Sequence, residues 1–181
     1  VGRDGARPDD VVLVTGVIGD GYLGLQAAQE RLSLEPERVM ALVDHYRTPM
    51  PRLAFAEQIR DLATAAIDVS DGLIADLGHL AAASGVALDI DLAALPVSGP
   101  AQAWLDGRVD PQDARVRLAT GGDDYEIAFT ARAGDEAELR RAAERQHLRL
   151  TTIGRVVAGT GVTVRSAGDI VAIGRPGWTH G

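Results

Sequence analysis

The chain's 181 residues, 46% of them hydrophobic and 24% charged, suit one folded domain with a real core and exclude an intrinsically disordered chain. A formal charge of −8 with no basic patch repels a phosphate backbone, which removes non-specific nucleic-acid binding. Cysteine and lysine are both absent, so disulfides, thiolate metal sites, a G-x-x-x-x-G-K-[ST] loop and Schiff-base chemistry drop out, and any phosphate falls to arginine, backbone amides or carboxylate-held cations.

Val11 to Val14, an apolar run after the Arg7-Pro8-Asp9-Asp10 turn, reads as a buried strand ended by Gly16 and Gly19. Leu23, Ala27 and Ala28 recur at helical spacing and predict a helix from Asp20 to about Leu32. Pro36 in a first turn, with Val39, Leu42, Val43 and Tyr46, predicts a second helix ending before Pro49. A third runs from Leu53 through Ile59. Ala65 to Val69 reads as a strand entering Ser70-Asp71-Gly72, and Leu73, Leu77, Leu80 and Ala81 carry a helix to a stop at Gly85.

Val86, Leu88, Ile90 and Leu92 alternate with Ala87, Asp89 and Asp91, the period of a strand with a wet face, so both aspartates are expected in water. Leu95 to Thr120 is punctuated by Pro and Gly and reads as a surface excursion with short helical stretches around Trp104 and Arg115. Tyr125 to Thr130 predicts a strand. Asp135 with Glu138 resembles a capping box opening a helix to Gln146, and three closing strands follow within 148–157, 161–165 and 169–173. These elements predict a two-layer α+β domain with helices on one face of a mixed sheet. No stretch of about 18 apolar residues offers a membrane helix, so a cytoplasmic protein is expected. The start at Val1, with no element before Arg3, points to further sequence upstream.

Three segments carry chemistry. Gly19-Asp20-Gly21-Tyr22-Leu23-Gly24 is formally G-x-G-x-x-G, with Asp44 about 20 residues on, which would suit a dinucleotide-binding oxidoreductase. Asp44 falls on a helical pattern rather than at a strand end, so close packing at a glycine turn is the preferred reading. In Asp68-Val69-Ser70-Asp71-Gly72-Leu73, Ser70 or Asp71 is expected to cap the following helix. Asp68 and the remaining oxygens stand at a strand's C-terminal end, where open sheets bind ligands, and suit Mg²⁺ holding a nucleotide phosphate.

In Gly121-Gly122-Asp123-Asp124-Tyr125-Glu126, strand alternation sets Asp124, Glu126 and Ala128 on one face and an apolar core face of Tyr125, Ile127 and Phe129 on the other. The acidic pair is either solvated or used in binding. His45, His79, His147 and His180 are too scattered for zinc, and no G-x-S-x-G serves a serine hydrolase.

Taken in order, Val14-Thr15-Gly16-x-x-Gly19-Asp20 with Gly24-Leu25, Asp68-x-Ser70-Asp71-Gly72-Leu73, Gly121-Gly122-Asp123-Asp124-Tyr125-Glu126 and Gly177-Trp178-Thr179-His180 resemble the thiamine-monophosphate kinase family. The likeness is to that family's C-terminal domain, shared with aminoimidazole-ribonucleotide synthetase-like enzymes, with the N-terminal ATP- and metal-binding, dimerising domain expected to be missing. It implies transfer of the γ-phosphate of ATP to thiamine monophosphate with Mg²⁺, a homodimeric whole protein and an inactive isolated fragment. By the same resemblance Asp68 and Asp71 would be metal ligands, Ser70 and Arg3 would contact ATP, and Glu126 and Trp178 would contact thiamine. Two departures from the family pattern are the lack of a phenylalanine after His180 and the bulky Gly21-Tyr22-Leu23 turn. A noncatalytic α+β binding module is the remaining alternative.

Overall fold

The computed structural model describes residues 1–178. Strand β1 (Asp10–Thr15) leads into helices α1 (Asp20–Ala28), α2 (Pro36–Arg47) and α3 (Leu53–Gln58), then β2 (Ala63–Val69), α4 (Leu73–Ser84) and β3 (Ala87–Asp91). Helices α5 (Gly99–Asp106) and α6 (Pro111–Thr120) precede β4 (Glu126–Arg132) and α7 (Glu136–Arg145). Strands β5 (Leu150–Val157), β6 (Gly161–Ser166) and β7 (Asp169–Ile170) close the chain. Local chemistry accounts for several starts: Pro36 opens α2, and the side chains of Ser98 and Asp110 accept the amides of Ala101 and Asp113 as caps of α5 and α6.

The strands form one sheet in the order β2-β4-β1-β5-β3-β6-β7, antiparallel except for the parallel β3–β6 pair. This is the mixed sheet of the expected α+β class. In the register, Val69 faces Glu126 and Val14 faces Ala128. Because β2 and β1 both run antiparallel to β4 on either side of it, the ends of β1 and β2 and the start of β4 fall at one sheet edge. Topology thus gathers three segments that lie far apart in sequence.

Alternation along β1 splits its side chains between two layers: Val12 and Val14 join the main core, Leu13 the second. The main layer packs Leu23, Leu42, Leu73, Leu77, Trp104 and Leu118 from α1, α2 and α4–α6 against one face. On the opposite face, Phe55 of α3 and Leu139, Ala142 and Ala143 of α7 cover Leu13, Phe129 and Ala131. The second face therefore carries a smaller helical cover of its own.

Three local expectations change. Residues 95–120 are not a surface excursion, because Leu95, Ala101, Trp104, Leu105, Ala114 and Leu118 are buried in the main core. The periodicity is hidden by the shortness of α5 and α6, each only two to three turns. No side chain caps α7. Glu136 instead accepts from Arg140 at 2.6 Å and from the Thr152 hydroxyl at 2.7 Å, tying the helix to β5. Asp89 does not simply face water, since Arg165 donates to it at 2.8 Å and Arg155 lies at 3.6 Å. Among the described residues no helix is long and apolar enough to cross a membrane.

Candidate functional site

Three turns meet at the edge where β1 and β2 end and β4 begins. The Asp123 amide donates to the Ser70 carbonyl at 2.9 Å, and the Tyr125 amide to that of Val69 at 2.8 Å. On the other side the amides of Gly19 and Gly21 donate to the Asp124 carboxylate at 2.9 Å. The backbones approach so closely that a side chain on Gly21 would run into the Asp123 carbonyl, and one on Gly122 into that of Ser70. Each glycine motif is therefore the others' packing partner.

The turns wall a cleft of about 710 Å³ whose lining includes Tyr22, Ser70, Asp71, Arg117, Tyr125 and Trp178. The Trp178 amide donates to the Asp71 carbonyl at 2.8 Å, anchoring its main chain at the cleft while 64% of the residue stays exposed. The Arg175 guanidinium sits 5.5 Å from the ring centre. The structure thus sets Ser70, Asp71 and Trp178 on one cleft. Thr179 and His180, the end of that motif, lie outside the described residues.

Asp68 and Arg3 open on a separate groove of about 470 Å³ rather than on the cleft itself. Their charged groups approach to 3.7 Å with both side chains more than half exposed. Sequence proximity gives no hint of this pairing, since 65 positions separate the two residues. Neither Ser70 nor Asp71 caps α4. Asp76, one turn inside the helix, reaches back and accepts both their amides, at 2.9 and 3.1 Å. Burial raises the Asp76 pKa, the two amides offset part of the rise, and the charges of Asp71 and Asp68 add to it. Both carboxylates therefore share one electrostatic neighbourhood.

The acidic pair at the entry to β4 is not solvated. Asp124 is 2% exposed and Glu126 1%. Tyr125, expected in the core, stands 45% exposed at the cleft with φ of 52°, because the left-handed backbone at Asp123 and Tyr125 breaks strand alternation before Glu126. Glu126 accepts from the Thr15 hydroxyl at 2.6 Å and from Arg52 through Nε at 2.8 Å and Nη2 at 2.6 Å. It is not among the residues lining the cleft, and its carboxylate is already paired with Arg52.

The dinucleotide reading fails on the same geometry. Asp44 lies within α2, and the amides that would cradle a pyrophosphate at the start of α1 already hold the protein's own Asp124. Beside them Asp20 is buried, which raises its pKa, while the Ser98 hydroxyl at 2.7 Å and the charge of His45 lower it.

Asp68 and Asp71 supply hard oxygen donors, yet among the described residues no three acidic or histidine side chains gather into a metal cage. Mg²⁺ commonly uses one or two carboxylates and takes its remaining ligands from substrate phosphates and water. Asp71 offers its donors to the cleft and Asp68 to the other groove, so the described residues alone make no closed cage for such an ion.

Sequence reasoning missed Asp76, Arg52 and Tyr125. Asp76 sits inside a helix, where capping rules do not look, and Arg52 reaches Glu126 across 74 positions. The left-handed backbone around Asp124 carries no signal short of the tertiary contacts that impose it.

Residues 7–166 match the family described as AIR synthase related protein, C-terminal domain. Thiamine-monophosphate kinase from Caulobacter vibrioides is 42% identical over 179 residues, covering 99% of this chain and 50% of the relative. The crystal structure of thiamine-monophosphate kinase from Stenotrophomonas maltophilia K279a superposes with a TM-score of 0.82 at 38% identity, over 94% of this chain and 54% of that one. A structure of AaThiL complexed with AMPPCP and TMP gives a TM-score of 0.79 at 34% identity, over 99% and 54%. The chain spans about half the length of the curated relatives it matches.

Proposed function

This chain belongs to the AIR synthase related protein, C-terminal domain family, and on that premise we propose that it is the C-terminal half of a thiamine-monophosphate kinase. The reaction passes the γ-phosphate of ATP to the phosphate of thiamine monophosphate, giving thiamine diphosphate. The observation that carries this reading is the cleft lined by Ser70, Asp71 and Trp178, with Asp68 two residues before Ser70 near the end of β2 and paired with Arg3. AMPPCP, an ATP analogue, and TMP, read as thiamine monophosphate, in a structure that superposes over 99% of this chain support the same ligands here.

The acceptor oxygen of a phosphate monoester is anionic near neutral pH, so no side chain has to remove a proton. The obstacle is repulsion between two polyanions. Asp68 and Asp71 would hold Mg²⁺, which when bound screens the phosphate charges and aligns them. Ser70 binds the nucleotide by a hydroxyl hydrogen bond, and Arg3 sets a mobile positive charge beside it. Trp178 stacks on the thiamine rings, and Glu126 attracts the thiazolium cation once Arg52 yields.

The relatives are about twice as long, and we place the rest of the ATP site and the homodimer contact in the half that this chain does not span. The isolated chain then binds thiamine monophosphate but does not turn over. A cysteine-free chain fits the reducing cytoplasm. Titration with thiamine monophosphate, followed by tryptophan fluorescence, should give saturable quenching that Trp178→Ala removes. In a protein of the relatives' full length, Asp68→Asn should abolish Mg-dependent transfer while leaving the fold intact. Unchanged fluorescence and melting temperature on adding the substrate, or full activity of the Asp68 variant, would sink the assignment.

A further inference from the structure

Asp124 touches no wall of the cleft, yet it sits between two residues that do. Asp123 and Tyr125 line the cleft, and both hold left-handed backbone, with φ of 69° and 52°. L-residues avoid that region unless surrounding contacts impose it. The amides of those two residues are fixed to the β2 end, at the carbonyls of Ser70 and Val69. The side chain between them points the opposite way, where Oδ1 accepts the amides of both Gly19 and Gly21 at 2.9 Å and Oδ2 accepts that of Gly19 again.

A hydrocarbon would fill this buried position without desolvating a charge, so volume alone does not call for a carboxylate. Its bonds are all of one kind, to main-chain amides at the start of α1. They bridge two turns that are otherwise separate pieces of the chain.

We propose that Asp124 is a positioning residue: it clasps the 121–125 turn to the glycine turn before α1 and so holds Asp123 and Tyr125 in the left-handed geometry that shapes the cleft. Its carboxylate fills the amide cradle that an external anion takes in other glycine turns. Cleft shape then depends on a group that never meets the ligand. The part of the test that uses thiamine monophosphate rests on the kinase reading above, and the hydrogen-exchange part does not.

The experiment compares this chain with its Asp124→Ala and Asp124→Asn variants. One carbonyl oxygen can serve both glycine amides, so asparagine should keep the clasp and alanine should lose it. In Asp124→Ala, amide exchange at Gly21, Asp123 and Tyr125 should quicken at least tenfold on the order expected for an opened local unit, while β5 and β6 stay protected. The dissociation constant for thiamine monophosphate should rise about tenfold or more, with Asp124→Asn within about threefold of the parent. Should the alanine variant fail to fold, Asp124→Ser, whose short hydroxyl cannot span both amides, is measured against the same thresholds. A lowered melting temperature with unchanged exchange and affinity in the folded variant, or asparagine as weak as alanine, overturns the proposal. If the parent chain itself does not bind thiamine monophosphate, the kinase reading fails and the exchange comparison alone decides the role of Asp124.

Discussion

Arg52 donates through two nitrogens, at 2.8 and 2.6 Å, to the two oxygens of a Glu126 carboxylate that is almost completely buried. The pair joins the start of α3 to the start of β4. Removing one member of a buried pair strands the other charge at a cost of about 3–5 kcal/mol, and the partial exposure of Arg52 puts this case at the low end. Arg52→Met should therefore lower unfolding free energy by roughly 3 kcal/mol in urea titration. The double variant Arg52→Met, Glu126→Gln should recover at least half of that loss. A single variant within experimental error of the parent would show that the carboxylate finds other partners.

Two helical glycines should respond to alanine with opposite signs. Gly24 of α1 packs against α2 so closely that a methyl group would meet the Leu42 carbonyl and the Tyr46 side chain. Overpacking of this kind costs about 1–3 kcal/mol, more than the roughly 1 kcal/mol gained from alanine's helix propensity. Gly78 of α4 has open space where its side chain would stand. Gly78→Ala should stabilise by about 0.5–1 kcal/mol, and Gly24→Ala should destabilise. Melting curves that move the same way in both variants would contradict the α1–α2 contact.

Asp20 makes stability depend on pH. Its burial raises the pKa above the ordinary value of 3.8. A group raised in this way binds its proton more tightly when folded, so its contribution is full below the unfolded pKa and is lost as pH climbs through the folded one. Asp20→Asn keeps an acceptor for the Ser98 hydroxyl but does not titrate. Its melting temperature relative to the parent should rise as pH goes from about 4 to about 7. Using a His45→Gln background removes the neighbouring imidazole's charge from the comparison. An offset that stays constant across that range would mean that Asp20 keeps its charge at no cost.

Asp76 holds the turn that presents Ser70 and Asp71. Asp76→Ala leaves two amides without their acceptor and should cost about 1–3 kcal/mol. Asp76→Asn retains a carbonyl oxygen and should lose less. Mg-nucleotide binding, measured calorimetrically, should weaken in the alanine variant in parallel with the loosened turn. Equal nucleotide affinity in the parent and the alanine variant would separate the turn from the site.

The helices and strands were mostly legible because their signals are local. Val11 to Val14 needed only its apolar run, α2 only Pro36 and its 3.6-residue period, and α4 only its apolar row and Gly85. The helices α5 and α6 were harder, since two short turns-rich segments rich in Pro and Gly look like loop until Trp104 and Leu118 are seen to pack. Of the candidate site, the cluster of Ser70, Asp71 and Trp178 was legible from motif order. The companions of Asp68 and Glu126 were not, because Arg3 and Arg52 reach them across long separations in sequence.

Composition, periodicity and the placement of glycines determined most of the helices and strands and left phosphate chemistry, without lysine, to arginines, backbone amides and carboxylate-held cations, while the order of the motifs carried the family resemblance. Tertiary structure decided which of those carboxylates line a cleft and which are buried away from it. Asp71 faces a cleft, whereas Asp124 is consumed by peptide amides and Glu126 by Arg52. The physical reason is that solvation and hydrogen-bond partners are properties of position in space, and the antiparallel pairing of β1 and β2 about β4 is what brings distant turns within bonding distance.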